Sequence, residues 1–286
     1  METIRPSFSI MIPTWNNLEY LKLCVASIRA HSRFQHQLLV HINEGSDGSL
    51  AWVQSQGDVA YTYSESNIGI CHALNQLAAL ANTPYIAYFN DDMYALPDWD
   101  LALWKEIQAL DHDYFFLSAT MLEPFDSKNA AVISNQFFGT SHAQFDKEGL
   151  LNSYMQAKKS DWSGATWPPN VVSKRLWDAV GGYSEAFSPG LYSDPDFSMK
   201  LWQQGVRFFK GVAASRVYHF GSKSLKRIVL NDGRTTFMKK WGISPGFFDK
   251  YYLKKGAEWK GALTHNIPQL KRLFNKISVQ IRLLLK

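Results

Sequence analysis

Apolar positions along the chain alternate between short continuous runs and stripes at helical spacing. Phe8 to Thr14 is an apolar run that stops around Pro13, with Asn16 and Asn17 behind it as candidate caps, so it predicts strand, loop and helix. That helix carries Leu18, Leu21, Val25 and Ile28 on one face and should end near His31. His36 to Asn43 and Val59 to Tyr63 predict two further strands, the first closed by the turn cluster Gly45-Ser46-Asp47-Gly48. Asn67-Ile68-Gly69 opens a helix with Ile70, Ala73, Leu74, Leu77 and Ala81 on its apolar face, and Tyr85 to Phe89 is a buried strand running into Asn90-Asp91-Asp92. Strands alternating with helices imply crossover connections and a mostly parallel sheet.

Beyond that point the pattern loosens. Asp98 to Leu110 reads as helix and Tyr114 to Leu122 as strand, while Glu123 to Trp167 reads as loops and short elements over a site. Order returns at Val171-Val172, a helix from Ser173 to Val180, the Gly181-Gly182 turn, a helix from Pro195 to Gln204, and strands at Val206 to Val212 and Arg216 to Phe220.

Composition narrows the class. With 286 residues, 46% hydrophobic and 19% charged, the chain is a folded globular protein with a sizeable core. The 10 Trp and 13 Tyr suit stacking surfaces for flat or sugar-like ligands as well as packing. Cys24 and Cys71 lie in separate apolar segments, which suggests free buried thiols in a reducing compartment. Of the net +5, the segment from Lys254 to Lys286 carries +7 and the rest −2. A basic tail on a near-neutral body argues against a nucleic acid partner, whose docking face would be basic, and favours a membrane surface or an acidic partner. Met1 to Ile10 has no apolar signal core and no run reaches a spanning length, so a cytoplasmic protein is expected, with peripheral attachment at the inner face of the membrane as the alternative.

Three constellations carry candidate chemistry. Asn90-Asp91-Asp92 sits at the carboxyl end of an apolar strand, where open α/β sheets place their ligand crevice. These residues are either ordinary turn formers or carboxylates for a hard divalent cation that also binds phosphates. Asp194-Pro195-Asp196 makes Asp194 a candidate helix cap, a candidate general base, or both. His219-Phe220-Gly221-Ser222-Lys223-Ser224, with Lys226 and Arg227, is either a solvated basic loop or a phosphate-contacting loop whose histidine ligates a metal.

Taken in order, Ser9 to Asn16, Asn43-Glu44-Gly45-Ser46, Asn67-Ile68-Gly69 with Asn75, and Asn90-Asp91-Asp92 resemble the nucleotide-sugar-binding half of a family 2 glycosyltransferase. Val180 to Tyr183 with Glu185, Ser193 to Asp196, the His219 loop and Lys240-Trp241-Gly242 are similar to that family's acceptor-side elements. The resemblance spans about residues 7–245. It implies an α/β fold of GT-A type: a mostly parallel Rossmann-like sheet flanked by helices, with a C-terminal helical extension. The domain would cover 1–253, with a nucleotide-sugar half at about 7–122, an acceptor half at about 123–245, and a basic amphipathic tail at 254–286.

The same resemblance implies site roles. Pro13, Thr14, Asn16, Asn67, Gly69 and Asn75 would belong to the nucleotide pocket, Asn43 or Glu44 would sit by the base, and Asp91 would hold the ribose or metal shell. Asp92 and His219 would ligate Mn2+ or Mg2+, Lys223, Lys226 and Arg227 would offset diphosphate charge, and Asp194 would be the base of an inverting transfer. The donor would be a nucleoside-diphosphate sugar, with UDP-sugar favoured, and the acceptor a glycan or lipid-linked hydroxyl, as in polysaccharide biosynthesis. Three positions depart from the family pattern: Asn43 and Asn90 stand where acids are usual, and Ser193 where a Glu precedes the base. Those departures keep a catalytically silent nucleotide-sugar-binding scaffold as an alternative. A sugar nucleotidyltransferase is a weaker one, because no glycine-rich phosphate loop lies between Met1 and Asn17.

In the tail, Leu270, Leu273, Phe274, Ile277, Ile281, Leu284 and Leu285 recur at helical spacing among Lys271, Arg272, Lys276 and Arg282. The stripe either docks on the body's core or lies on an anionic membrane, and the excess positive charge favours the membrane.

Overall fold

The computed structural model describes residues 7–189, 191–221, 231–264 and 266–285. Its first half follows the apolar pattern closely: β1 (Phe8–Trp15), α1 (Leu18–His31), β2 (Gln37–Asn43), α2 (Ser49–Gln54), β3 (Val59–Ser64), α3 (Gly69–Leu80) and β4 (Tyr85–Tyr88). The second half holds β5 (Met93–Ala95), α4 (Trp99–Gln108), β6 (Phe115–Leu122), α5 (Lys147–Ser153), β7 (Trp162–Ser163), β8 (Asn170–Ser173) and α6 (Lys174–Val180). It continues with α7 (Ser193–Gln203), β9 (Phe208–His219), α8 (Gly233–Trp241), the short α9 (Pro245–Phe247) and α10 (Gln269–Leu284).

The strands form one sheet in the order β3-β2-β1-β4-β8-β6-β9-β5, with β7 added alongside β9. Pairing is parallel from β3 to β4 and again between β6 and β9, while β8 runs antiparallel to both its neighbours. Alternate residues of β1 face opposite sides. Ile10 and Ile12 join a core with Leu21, Val25 and Trp99 of the α1–α4 layer, and Met11 joins one with Leu74, Trp177 and Phe197 of the α3–α6–α7 layer. Burial on both faces explains why these strands read as continuous apolar runs.

Four local expectations change. Asn17 is the N-cap residue of α1, but its side chain makes no capping bond: its amide turns to Asp91, and Asp47 Oδ2 accepts from Leu18 N at 2.7 Å instead. The two strands expected at 206–212 and 216–220 are one strand, β9, whose register against β6 jumps from Val212 to Arg216, so residues 213–215 bulge out. Of the 123–167 stretch expected over the site, Glu123 reaches it through His219, and the remainder packs away from the cavity. Its Ile133 and Leu150 pack with Tyr94, Tyr218 and Phe220 in a separate cluster. Finally, the 254–263 segment packs on the body, where Ser163 N donates to Ala257 O and Leu263 N to Arg207 O, which leaves α10 as the basic amphipathic element, resting on the body by one face. Cys24 and Cys71 are free and buried, as expected.

Candidate active site

The ends of β1 and β4 open into a cavity of about 520 Å³ lined by Pro13, Thr14, Trp15, Asn67, Asp91, Asp92, Asp194 and His219, among others. This is the carboxyl-end crevice that a parallel sheet leaves open. Asp91 is fixed by Thr14 Oγ1 at the end of β1, at 2.6 Å, and by Asn17 Nδ2 in the turn that follows, at 3.1 Å. Asn17 thus orients a carboxylate instead of capping its helix.

Strand pairing brings Asp92 to His219 across 127 positions of sequence. The short β5 runs antiparallel to β9 with Met93 opposite His219, and Phe220 N donates to Asp92 O at 3.1 Å. As a result His219 Nε2 lies 3.5 Å from Asp92 Oδ2, while Nδ1 lies 2.8 Å from Glu123 Oε1 at the end of β6. Burial opposes charging of His219, but Asp92 and then Glu123 more than offset it and raise its pKa to about 10.

Asp194 lies in the first turn of α7. The helix begins at Ser193, with Tyr192 before it in left-handed backbone at φ 65°, so Asp194 is not the cap that its Pro195 neighbour suggests. Its carboxylate is instead met by the buried Tyr183, whose phenol donates to Oδ1 at 3.0 Å. Burial raises the Asp194 pKa to about 6, against smaller lowering effects of the Tyr183 hydrogen bond and the Lys255 charge. The buried phenol of Tyr88 feels both carboxylate groups: burial first, then Asp194, Cys71, Asp92 and Asp91 push its pKa well up. Two residues further on, Asp196 anchors the helix through Ser184 Oγ at 2.6 Å, Trp241 Nε1 at 2.8 Å and Lys240 Nζ at 2.9 Å. That fixes α7 to α8 and sets where Asp194 stands.

The donor set fits a divalent cation that takes part of its shell from substrate. Among the described residues no group of three or more His, Cys, Asp or Glu is placed to hold a metal unaided. A cation there would displace the Nε2 proton of His219, leaving Asp92 and His219 to offer one carboxylate and one imidazole whose second nitrogen is held by Glu123, the arrangement usual for a ligating histidine. Mg2+-like ions are commonly bound through one or two protein carboxylates plus substrate phosphates.

The profile of glycosyl transferase family 2 matches residues 9–151. The chain belongs to this family. Similar solved structures carry the GT-A fold, as this chain does. S. aureus TarS 1-349 in complex with UDP superposes at a TM-score of 0.55 with 14% identity, over 74% of this chain and 60% of that one. GalNAc-T7 with UDP, GalNAc and Mn2+ gives 0.55 and 13%, over 77% and 44%. The mannosyltransferase PcManGT from Pyrobaculum calidifontis, in complex with GDP-Man and Mn2+, gives 0.52 and 13%, over 78% and 59%. This chain therefore spans less than two thirds of each of those structures, and the likeness is one of fold. No curated protein matches the sequence.

In this family 2 member the expected site residues divide. Pro13, Thr14, Asn43, Asn67, Gly69, Asp91, Asp92, Asp194 and His219 all line the cavity. Asn43 is 4% exposed and mostly spent on the backbone: its amide donates to Thr14 O and its oxygen accepts from Ile68 N at 2.9 Å. Gly69 has φ +78°, and a Cβ there would meet Ser188 Oγ at 2.3 Å, so this turn requires glycine.

Asn16 and Glu44 stand just outside the lining, where the Glu44 carboxylate accepts from Trp15 Nε1 and Asn16 Nδ2 and so orients the Trp15 ring, which does line it. Asn75 is also outside, with its side chain bonded at 2.9 Å to both Tyr183 N and Tyr183 O. Lys223, Lys226 and Arg227 lie outside the described residues. Glu123, Tyr183 and Trp15 also contribute, although the sequence assigns none of them a role: Trp15 and Tyr183 lie inside two of the motifs, and Glu123 stands alone at the end of β6. Of the stretch expected to supply site loops, 123–167, no described residue lines the cavity directly, and only Glu123 reaches it, through His219.

Proposed function

We propose that this family 2 member transfers a sugar from a nucleoside-diphosphate donor to a hydroxyl of a glycan or lipid-linked acceptor, with inversion and with Asp194 as the base. The observation that carries the reading is Asp194 itself: a cavity carboxylate with a pKa raised to about 6, in the same chamber as the Asp92–His219 pair. At neutral pH such a group is ionised, yet it holds a proton more strongly than an ordinary carboxylate, which suits a general base.

Tyr183 holds Oδ1, so Oδ2 is the oxygen that receives the acceptor proton. The acceptor oxygen then attacks the anomeric carbon as the bond to the diphosphate breaks, in one displacement with no covalent intermediate. Asp92 and His219 would hold the cation, which when bound supplies Lewis-acid stabilisation to the departing diphosphate. Asp91, fixed by Thr14 and Asn17, offers its carboxylate to the donor's ribose or to the metal shell. The UDP, GDP-Man and Mn2+ in the similar structures support a nucleotide-sugar donor and a divalent cation.

The test is a panel of nucleotide sugars with Mn2+ or Mg2+, followed by release of nucleoside diphosphate. Release that depends on both metal and acceptor supports the transferase. Binding of a nucleotide sugar with no release under any combination would make the chain a silent scaffold.

A further inference from the structure

Helix α10 touches the body with one face and presents its apolar stripe on the other. Arg272, Asn275, Val279 and Leu283 make up the inward side: Val279 is 2% exposed, Asn275 Nδ2 donates to Ser244 Oγ at 3.0 Å, and Ser244 N donates to Asn275 Oδ1 at 3.1 Å. Leu270, Leu273, Phe274, Ile277, Ile281 and Leu284 are all exposed, Phe274 by 66% and Leu284 by 85%. At about 100° per residue, those six fall within an arc of roughly 100° centred nearly opposite the inward face. Lys271 and Arg282 flank the arc on one side and Lys276 on the other, and the helix contains no Asp or Glu.

From this placement we propose that α10 docks the protein on an anionic lipid surface, with its outward stripe in the headgroup–acyl boundary and its flanking cations among the headgroups. A docked core helix would turn its apolar stripe inward, and this one turns it out. The charge pattern selects the occupant. Two copies packed through the same stripe would set Lys and Arg against Lys and Arg with no acid on either helix to pair them, whereas anionic headgroups complement both rims. Among the described residues no helix is long and apolar enough to cross a membrane, so docking is in the interface plane.

The test uses the full chain and sedimentation with vesicles of phosphatidylcholine and phosphatidylglycerol in equal parts, beside pure phosphatidylcholine. Wild type is expected to pellet with the mixed vesicles and far less with the neutral ones. Leu273→Glu with Phe274→Glu is expected to lower partitioning by at least about tenfold, since apolar burial drives it. These side chains point away from the body, so the variant's melting temperature should match wild type and any loss reads as docking. Lys271→Gln, Lys276→Gln and Arg282→Gln together are expected to lower partitioning to mixed vesicles by about a hundredfold and leave neutral vesicles unaffected, at about 1 kcal/mol for each charge removed. Failure of wild type to pellet, or equal pelleting by the Glu variant, overturns the proposal. So does a wild-type dimer in light scattering that the Glu variant abolishes, which would assign the face to a second copy.

Discussion

Tyr183 donates its phenol to Asp194 Oδ1 at 3.0 Å, and Asn75 holds the backbone of Tyr183 from both sides. The side chain that orients the proposed base is thereby fixed to α3, while the base itself is carried on α7. Stacking of the Tyr183 ring on Phe197, with centroids 4.6 Å apart, locks it further.

Tyr183→Phe keeps that stacking and removes the donor. Because the phenol lowers the Asp194 pKa, its loss should raise that pKa further and move the acidic limb of the rate profile to higher pH. Activity at neutral pH is expected to drop severalfold and to recover as the pH is raised. A loss of equal size at every pH would show that Tyr183 acts on the fold and not on the base.

Asn75→Ala strips two hydrogen bonds from Tyr183 and leaves its N–H and C=O without partners. A loss of about 2–4 kcal/mol in urea unfolding is expected, with an unchanged denaturant slope. Gln76→Ala, on the exposed side of α3, should cost close to nothing. Equal effects at the two positions would contradict the clamp.

Asp194 should destabilise the protein it serves. Its folded pKa is raised above the unfolded value, so the stability cost of ionising it is absent below about pH 4, grows as pH rises and is complete above about pH 6. Asp194→Asn keeps an acceptor for Tyr183 and removes the charge. At pH 8 the variant should be more stable than wild type by at most about 3 kcal/mol, the value of two pKa units, less whatever water in the cavity screens. The difference should shrink towards pH 4.5 in thermal melts; a pH-independent difference would argue against the raised pKa.

Asp92→Ala should remove metal-dependent binding of nucleoside diphosphate. In calorimetry, wild-type affinity is expected to fall on chelation of Mn2+ to the level that the variant shows with or without the ion. Wild-type affinity in the variant would remove Asp92 from the cation's shell.

How much of this was legible in the sequence follows the range of the interactions involved. β1, β2, β4 and α3 were readable because each buries a run or a stripe of its own residues, and the strand-end position of Asp91 and Asp92 came with them. β5 was not, since three residues carry no period and the strand exists only by pairing with β9. Glu123 was missed because its partner His219 lies 96 residues away, and Asn75 looked like a ligand residue because nothing local shows that Tyr183 consumes both ends of its amide. Asp194 lines the cavity, but the cap that Pro195 suggests for it is absent, because the helix starts at Ser193 and the turn before it is set by Tyr192. In the tail the helix itself was plain, but only the packing of Asn275 and Val279 on the body shows which way its apolar stripe faces.

The central claim is that Asp194 takes the acceptor's proton and does not bind the donor. The most direct measurement is of Asp194→Asn with the donor that wild type uses, recording transfer rate and donor affinity on the same preparation. A fall in kcat of roughly 10²- to 10⁴-fold with donor affinity unchanged is expected, as for loss of a general base. Transfer near the wild-type rate, or a loss of activity that comes entirely from loss of donor binding, would contradict it.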